Sequence, residues 1–314
     1  MSFKPASNSG NGNSDGPSID YNAINTQVKG GSRPARVSLI VDLGKQERED
    51  FTEDYAEKSS KHIKAMGNGT GRIENEDGKD VIYITQKPVD QIAVFADLTS
   101  DVVDYGENLG KQPYRIVLNK SYQGKLHGIP FNGCYSFDKN GQILKDKGFT
   151  FHNTSVLTKL AKATKQDQIV SGSGDDNMDI SQLLGKPFMA TVDKQVRNDN
   201  TYINYKGCSE VPLVPSDPTD PDSDEVPLGV KKLKLEPMCI TFDDVTEENA
   251  KFIRGDIRKA IKLALNYEGS KMQEVLEASS NSKPEKPKAD EPEEQYEEPS
   301  QEIGDDRDDD SLPY

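Results

Sequence analysis

Three segments of this chain alternate apolar and polar residues with period two, and that pattern commits it to a sheet with a buried face. Val37, Leu39, Val41 and Leu43 fall on one side of an extended strand, with Ser38 and Asp42 on the other. Ile92, Val94, Ala96 and Leu98 repeat the pattern, as do Tyr114, Ile116 and Leu118. Phe188, Ala190 and Val192 begin a further strand, which Arg197-Asn198-Asp199-Asn200 turns back into Thr201 to Lys206. Val81 to Thr85 is a shorter β candidate in the long first connection.

Between the third and fourth of these strands, Val156, Leu157, Leu160, Ala161 and Ala163 recur at helical spacing, with Asn153 or Thr154 as N-cap. Three strands, a helix and a two-stranded hairpin is the order of an OB-fold barrel. The expected class is therefore mainly β with helical additions, built on an OB-fold-like barrel. A second helical tract, Glu247 to Asn266, places Ile253, Ile257, Ile261, Ala264 and Leu265 on one stripe. Arg254, Arg258, Lys259 and Lys262 fall mainly off that stripe, as a solvated face would. Gly269 can end this helix, and Ser270-x-x-Gln273 reads as a capping box for a shorter one closing near Ala278.

The remaining tracts read as linkers. Ser7 to Gly16 is Ser, Asn and Gly with one Asp, Lys64 to Asp80 carries Gly67-Asn68-Gly69-Thr70-Gly71, and Pro212 to Pro227 alternates proline with acid. The expected division is a flexible arm over 1–32, a packed domain over 33–278 and a disordered acidic tail over 279–314. No apolar run approaches the about 18 residues of a membrane span. The polar N-terminus lacks the apolar stretch of a signal peptide, which predicts a soluble cytoplasmic protein.

Taken as a sum, the formal charge of −15 on 314 residues argues against nucleic acid as a partner. Its position reverses that inference. Residues 289–314 hold twelve acids and the single base Arg307, a net of −11, which leaves −4 on the other 288 residues. Such a block of like charge cannot bury enough apolar surface to offset its chain entropy.

Little points to catalysis. Cys134, Cys208 and Cys239 are widely separated and odd in number, so they suggest isolated thiols rather than a disulfide framework or zinc cage. His62, His127 and His152 are isolated. The 67–71 glycines lack the Lys-Ser/Thr of a phosphate loop. Asp220-x-Asp222-x-Asp224 fails as a calcium loop because Glu225 stands where glycine is needed and Lys231 where the last glutamate is needed. Asp42 and Asp97 are strand-end carboxylates that a metal-dependent nuclease would need, without an accompanying motif. The expectation is a protein that is not an enzyme and carries no cofactor or metal.

The positive signal is an interleaving of basic and aromatic residues on the strands. Tyr114, Arg115, Lys120, Tyr122 and Lys125 form one group, followed by Tyr135 and Phe137. Lys194, Arg197, Tyr202, Tyr205 and Lys206 form another on the hairpin. Rings that stack on bases and cations that track phosphates hold single strands without regard to sequence. An acidic chaperone or DNA mimic, binding basic proteins instead, is the alternative, with the nuclease behind it.

The chain closes on Asp308-Asp309-Asp310-Ser311-Leu312-Pro313-Tyr314, an acidic run with an apolar, aromatic tip. A solubilising tail has no need of Leu312, Pro313 and Tyr314. A docking peptide does, since ring and leucine fill a pocket while Asp308, Asp309, Asp310 and the terminal carboxylate meet Lys or Arg. About 35 flexible residues give the tip a reach of roughly 30–35 Å.

This terminus resembles the acidic tip of bacterial single-stranded DNA-binding proteins, which ends Asp-Asp-Asp-Ile-Pro-Phe. The body, across roughly Ser32 to Ala278, resembles a family of bacteriophage single-stranded DNA-binding proteins. The segments that carry this likeness are Gln91-Ile-Ala-Val-Phe-Ala-Asp-Leu98, the Ser155 to Thr164 helix, and Asn177-Met-Asp-Ile180 followed by Lys186-Pro-Phe-Met-Ala190. Glu236-Pro-Met-Cys-Ile-Thr-Phe-Asp243 and Tyr267-Glu-Gly-Ser-Lys-Met-Gln273 complete them. The resemblance implies an OB-fold that binds single-stranded DNA in an infected bacterial cell. It also implies a tail that recruits a polymerase, helicase or nuclease of replication or recombination, and it leaves open assembly with further copies of the chain.

Overall fold

The computed structural model describes residues 20–105, 110–119, 121, 122, 125–135, 142, 144, 148–217, 219, 220 and 223–281. Residues 1–19 of the expected arm and 282–314 of the expected tail lie outside them, while 279–281 close the last helix. The centre is a sheet of β1 (Gly31–Gln46), β2 (Val89–Asp104), β3 (Lys111–Val117), β4 (Pro187–Arg197) and β5 (Asn200–Ser209). Their spatial order is β5-β4-β1-β2-β3, every neighbouring pair antiparallel. A short β6 (Met238–Ile240) pairs parallel with Leu39–Val41, continuing along the edge of β1 that β4 occupies from Gly31 to Arg36. The two outer strands, β3 and β5, approach within 8 Å between Cα atoms, and no ladder joins them among the described residues.

Both faces of the sheet are buried. One core gathers Ala35, Val37, Ile40, Ile92, Val94, Ala96, Leu98, Tyr114, Ile116 and Leu118 under helix α3 (Val156–Ala163). The other gathers Leu39, Val41, Leu43, Ala93, Phe95 and Val117 under three helices from the C-terminal part, α4 (Glu247–Ala250), α5 (Gly255–Ile261) and α6 (Lys271–Asn281). The single apolar face expected of β1 is therefore split. A bulge between Val37 and Leu39 sends Val37 to one core and Leu39, Val41 and Leu43 to the other.

Part of the expected arm is structured. Helix α1 (Tyr21–Gln27) is capped by Asp20, whose side chain accepts from the Asn22 and Ala23 amides. It is fastened by polar side chains: buried Asn25 donates to the Thr201 carbonyl at 2.9 Å and accepts from the Tyr114 hydroxyl at 2.9 Å. Ile24 and Val28 enter the first core.

The first connection is likewise ordered, against the mobile loop expected over 64–80. It holds helix α2 (Ser60–Gly67) and an antiparallel sheet of Phe51–Asp54, Lys79–Ile84 and Gly71–Glu76. The Pro212–Pro227 tract contains a small pair, Leu213–Pro215 with Glu225–Pro227. The single helix expected over 247–266 is broken at 251–254, and its Leu265 is exposed rather than on the stripe. Arg258 is no solvated cation: it donates to the Ile253 and Ala250 carbonyls and to Ser279 Oγ, tying α5 to its neighbours. No helix among the described residues is long and apolar enough to cross a membrane.

Candidate nucleic-acid interface

The hairpin of β4 and β5 turns at Asn198 and Asp199, both at positive φ, the two-residue turn whose twist suits a hairpin. Its residues divide by face. Lys194 reaches across the inner side to donate from Nζ to the Thr26 and Val28 carbonyls at 2.7 and 2.9 Å, neutralising the C-terminus of α1. Tyr205 packs against the first core, and burial pushes its hydroxyl pKa up. These two hold the fold together instead of facing a ligand. Arg197 is exposed at the turn, and Tyr202 is half-buried opposite Gln195. Lys206 lies 3.5 Å from Asp193 as an exposed ion pair.

Tyr114 is 3% exposed, in the first core, so it is not offered to a base. Alternation on β3 marked it as an inward residue as well as an aromatic one, and the inward role prevails. Arg115 donates to both oxygens of Asp97 from the adjacent strand. Tyr122 and Lys125 lie in a short pair, Ser121–Tyr122 with Lys125–Leu126. Lys120, Phe137 and the tip residues Asp308 to Tyr314 lie outside the described residues.

Tyr135 does reach the surface, beside a ring that sequence reasoning missed. Cys134–Tyr135 pairs with Phe149–Thr150, placing Tyr135 directly opposite Phe149. Their ring centroids are 5.1 Å apart at 63°, edge to face, with exposures of 46% and 43%. Gly133 makes room beneath: a Cβ there would come within 2.3 Å of the Phe149 ring. Asn177 donates to the Phe149 carbonyl at 2.8 Å, fixing the backbone from the other side. Sequence alternation could not have found this ring: Phe149 and Phe151 stand at i and i+2, which a regular strand puts on one face, yet the strand ends at Thr150 and Phe151 is buried while Phe149 is exposed.

On the sheet face turned away from the first core, Arg36, Asp97 and Arg115 form a row across β1, β2 and β3. The segment 228–237 crosses this row. It is held by the Lys231 amide donating to Thr99 Oγ1, by Arg36 Nε donating to the Lys231 carbonyl, and by Lys234 Nζ donating to the Lys111 carbonyl. An open cleft of about 370 Å³ lies between this segment, Arg36 and Gly185. Gly185 turns the chain there with φ +72°, a conformation L side chains rarely adopt. Burial pushes the Arg36 guanidinium pKa down.

No family model, curated protein or solved structure matches this chain.

The chemistry available is therefore read from the residues alone. Among the described residues no three His, Cys, Asp or Glu side chains converge on a point that could hold a metal ion. Asp97 is engaged by Arg115 and Ser38, and Asp42 Oδ1 accepts from the Gly44 amide at 2.8 Å. His62 is buried in the insertion between β1 and β2, with Nε2 2.6 Å from Glu53 and its ring stacked on Tyr55. What faces outward is a fixed ring pair, the exposed cations Arg197, Lys231 and Lys232, and a basic cleft.

Proposed function

We propose that this chain binds single-stranded DNA without sequence preference and has no chemistry of its own. The observation that carries the reading is the exposed Tyr135–Phe149 pair, two rings held on fixed backbone where bases could stack. The connectivity supports it: the order β5-β4-β1-β2-β3, with α3 between the third and fourth strands, agrees with an OB-fold whose outer strands β3 and β5 are left unjoined. The likeness to phage single-stranded DNA-binding proteins points the same way. Arg197 and Tyr202 on the hairpin extend the interface.

The acidic tail acts as partner hook and electrostatic competitor. It competes with DNA for basic groups, and displacement by DNA frees Leu312, Pro313 and Tyr314 for a polymerase, helicase or nuclease of replication or recombination. A gel-shift series with single- and double-stranded oligonucleotides, with and without magnesium, tests the reading. Retention of intact single strands is expected; strand cleavage, or no affinity for single strands, overturns it. Deleting residues 289–314 is expected to tighten DNA binding and abolish partner capture.

A further inference from the structure

Several arginines beside the sheet have carboxylate partners, whereas Arg36, like Arg258 on α5, has none among the described residues. Arg33 pairs with Asp101 at 2.8 Å, Arg115 with Asp97 at 2.7 Å, and Arg254 with Asp256. Arg36 is half-buried and lies in register with Asp97, yet no carboxylate among the described residues comes within 4.0 Å of it. Its partners are two carbonyl oxygens: Nε donates to Lys231 at 2.9 Å and Nη1 to Gly185 at 2.7 Å. These bonds fix the plane of the guanidinium without neutralising it.

A cation taken partly out of water and left without a counter-charge is costly, and an anion entering beside it recovers that cost. The cleft Arg36 lines is open to solvent and is flanked by Lys232 and Lys234, against the single carboxylate of Glu236. Lys234 spends a donor on the Lys111 carbonyl, while Lys232 is exposed and engages no other side chain among the described residues. A planar fork held in place beside two ammonium groups suits the oxygens of a phosphate.

We propose that this cleft is a phosphodiester subsite, in which Arg36, flanked by Lys232 and Lys234, holds a backbone phosphate of the bound single strand. This rests on the DNA-binding reading above and adds a defined place to it. Segment 228–237 then works as one wall of the site. The sequence hid it because Lys231-Lys232-Leu233-Lys234-Leu235 follows an acidic linker and lies far along the chain from Arg36.

The test uses the full chain and a fluorescent oligothymidine, with anisotropy followed from about 50 to 400 mM salt. Arg36→Gln is expected to weaken binding about fivefold at 0.1 M salt and to lower the slope of log affinity against log salt by about 0.7, the loss of one single-strand phosphate contact. Glu236→Gln is expected to tighten binding. Lys259→Gln, on α5, is expected to keep the parental slope. An Arg36→Gln protein that melts at a lower temperature but keeps the parental slope would show a tie for the crossing segment only and overturn the proposal. So would a slope loss in Lys259→Gln equal to that in Arg36→Gln.

If Arg36→Gln fails to fold, the exposed pair Lys232→Gln and Glu236→Gln decides. Opposite shifts uphold the subsite, and no shift in either sinks it. If the parent binds no oligonucleotide, the functional reading fails, and titration with inorganic pyrophosphate followed by phosphorus NMR isolates the cleft. Binding that Lys232→Gln weakens keeps the anion site, whereas absence of binding removes it as well.

Discussion

Arg115 Nε donates to Asp97 Oδ1 at 2.7 Å and Nη2 to Oδ2 at 3.3 Å, while Ser38 Oγ donates to the same Oδ1 at 2.8 Å. The fork thus locks β3 to β2 on the face where the helices leave the sheet, and it satisfies a buried carboxylate. Arg115→Met leaves that carboxylate without its cation and is expected to cost about 2 kcal/mol in urea unfolding. Arg115→Lys, lacking the planar fork, is expected to restore less than half of it.

Tyr114→Phe removes one hydroxyl and leaves Asn25 Oδ1 buried without its donor. The expected loss is about 1–2 kcal/mol of stability, with oligonucleotide affinity at the parental value. A marked fall in affinity without loss of stability would place Tyr114 back at the interface.

Tyr135→Ala and Phe149→Ala are expected to do the opposite. Each ring is nearly half exposed, so melting temperature should move little, while each substitution lowers affinity for oligothymidine about tenfold, the worth of one stacked base. Parental affinity in the double variant would remove the platform.

Asp42 gives a pH signature. Burial, reinforced by the neighbouring Asp90 and Asp243 carboxylates, raises its pKa, against hydrogen bonds from the Gly44 and Phe242 backbone that lower it. The folded chain therefore holds this proton longer than the unfolded chain, whose Asp titrates near about 3.9. The site's contribution to stability falls as pH rises from that value through the raised native one. Asp42→Asn keeps the acceptor for the Gly44 amide. It is expected to be more stable than the parent at neutral pH, with the difference vanishing below about pH 3.9 in denaturant titrations at stepped pH.

Much of the sheet was legible because its strands alternate. The Asn198-Asp199 turn and the 156–163 helix are local features whose signals need no tertiary context, although the helix is capped by Ser155 and not by Asn153 or Thr154. The faces of β1 were less legible: with both sides buried, Val37 to Val41 is a nearly continuous apolar run, and only the bulge decides which residue faces which core. Helix α1 was missed because Tyr21 to Gln27 is anchored through Asn25, whose partners are Thr201 and Tyr114, far along the chain. The capping box at Ser270 came through with a shift: Ser270 accepts from the Gln273 amide, but the Gln273 side chain accepts from Gly269 rather than from Ser270.

At the interface, composition overstated the aromatic strands. Tyr114 and Tyr205 carry the right side chains on the wrong side of the sheet, and Lys194 is consumed by α1. The surface candidates that sequence reasoning passed over, Phe149 and Arg36, have partners more than ten residues away: Tyr135 for one, Lys231 and Gly185 for the other.

The last helix sets where the chain can be cut. Met272 and Leu276 are wholly inside the second core, so α6 is a supporting member of the sheet and no part of the charged extension that follows. A deletion series that aims to separate tail from body must begin beyond Asn281. One that begins at Gly269 would strip a side of the sheet and report unfolding as though it were regulation.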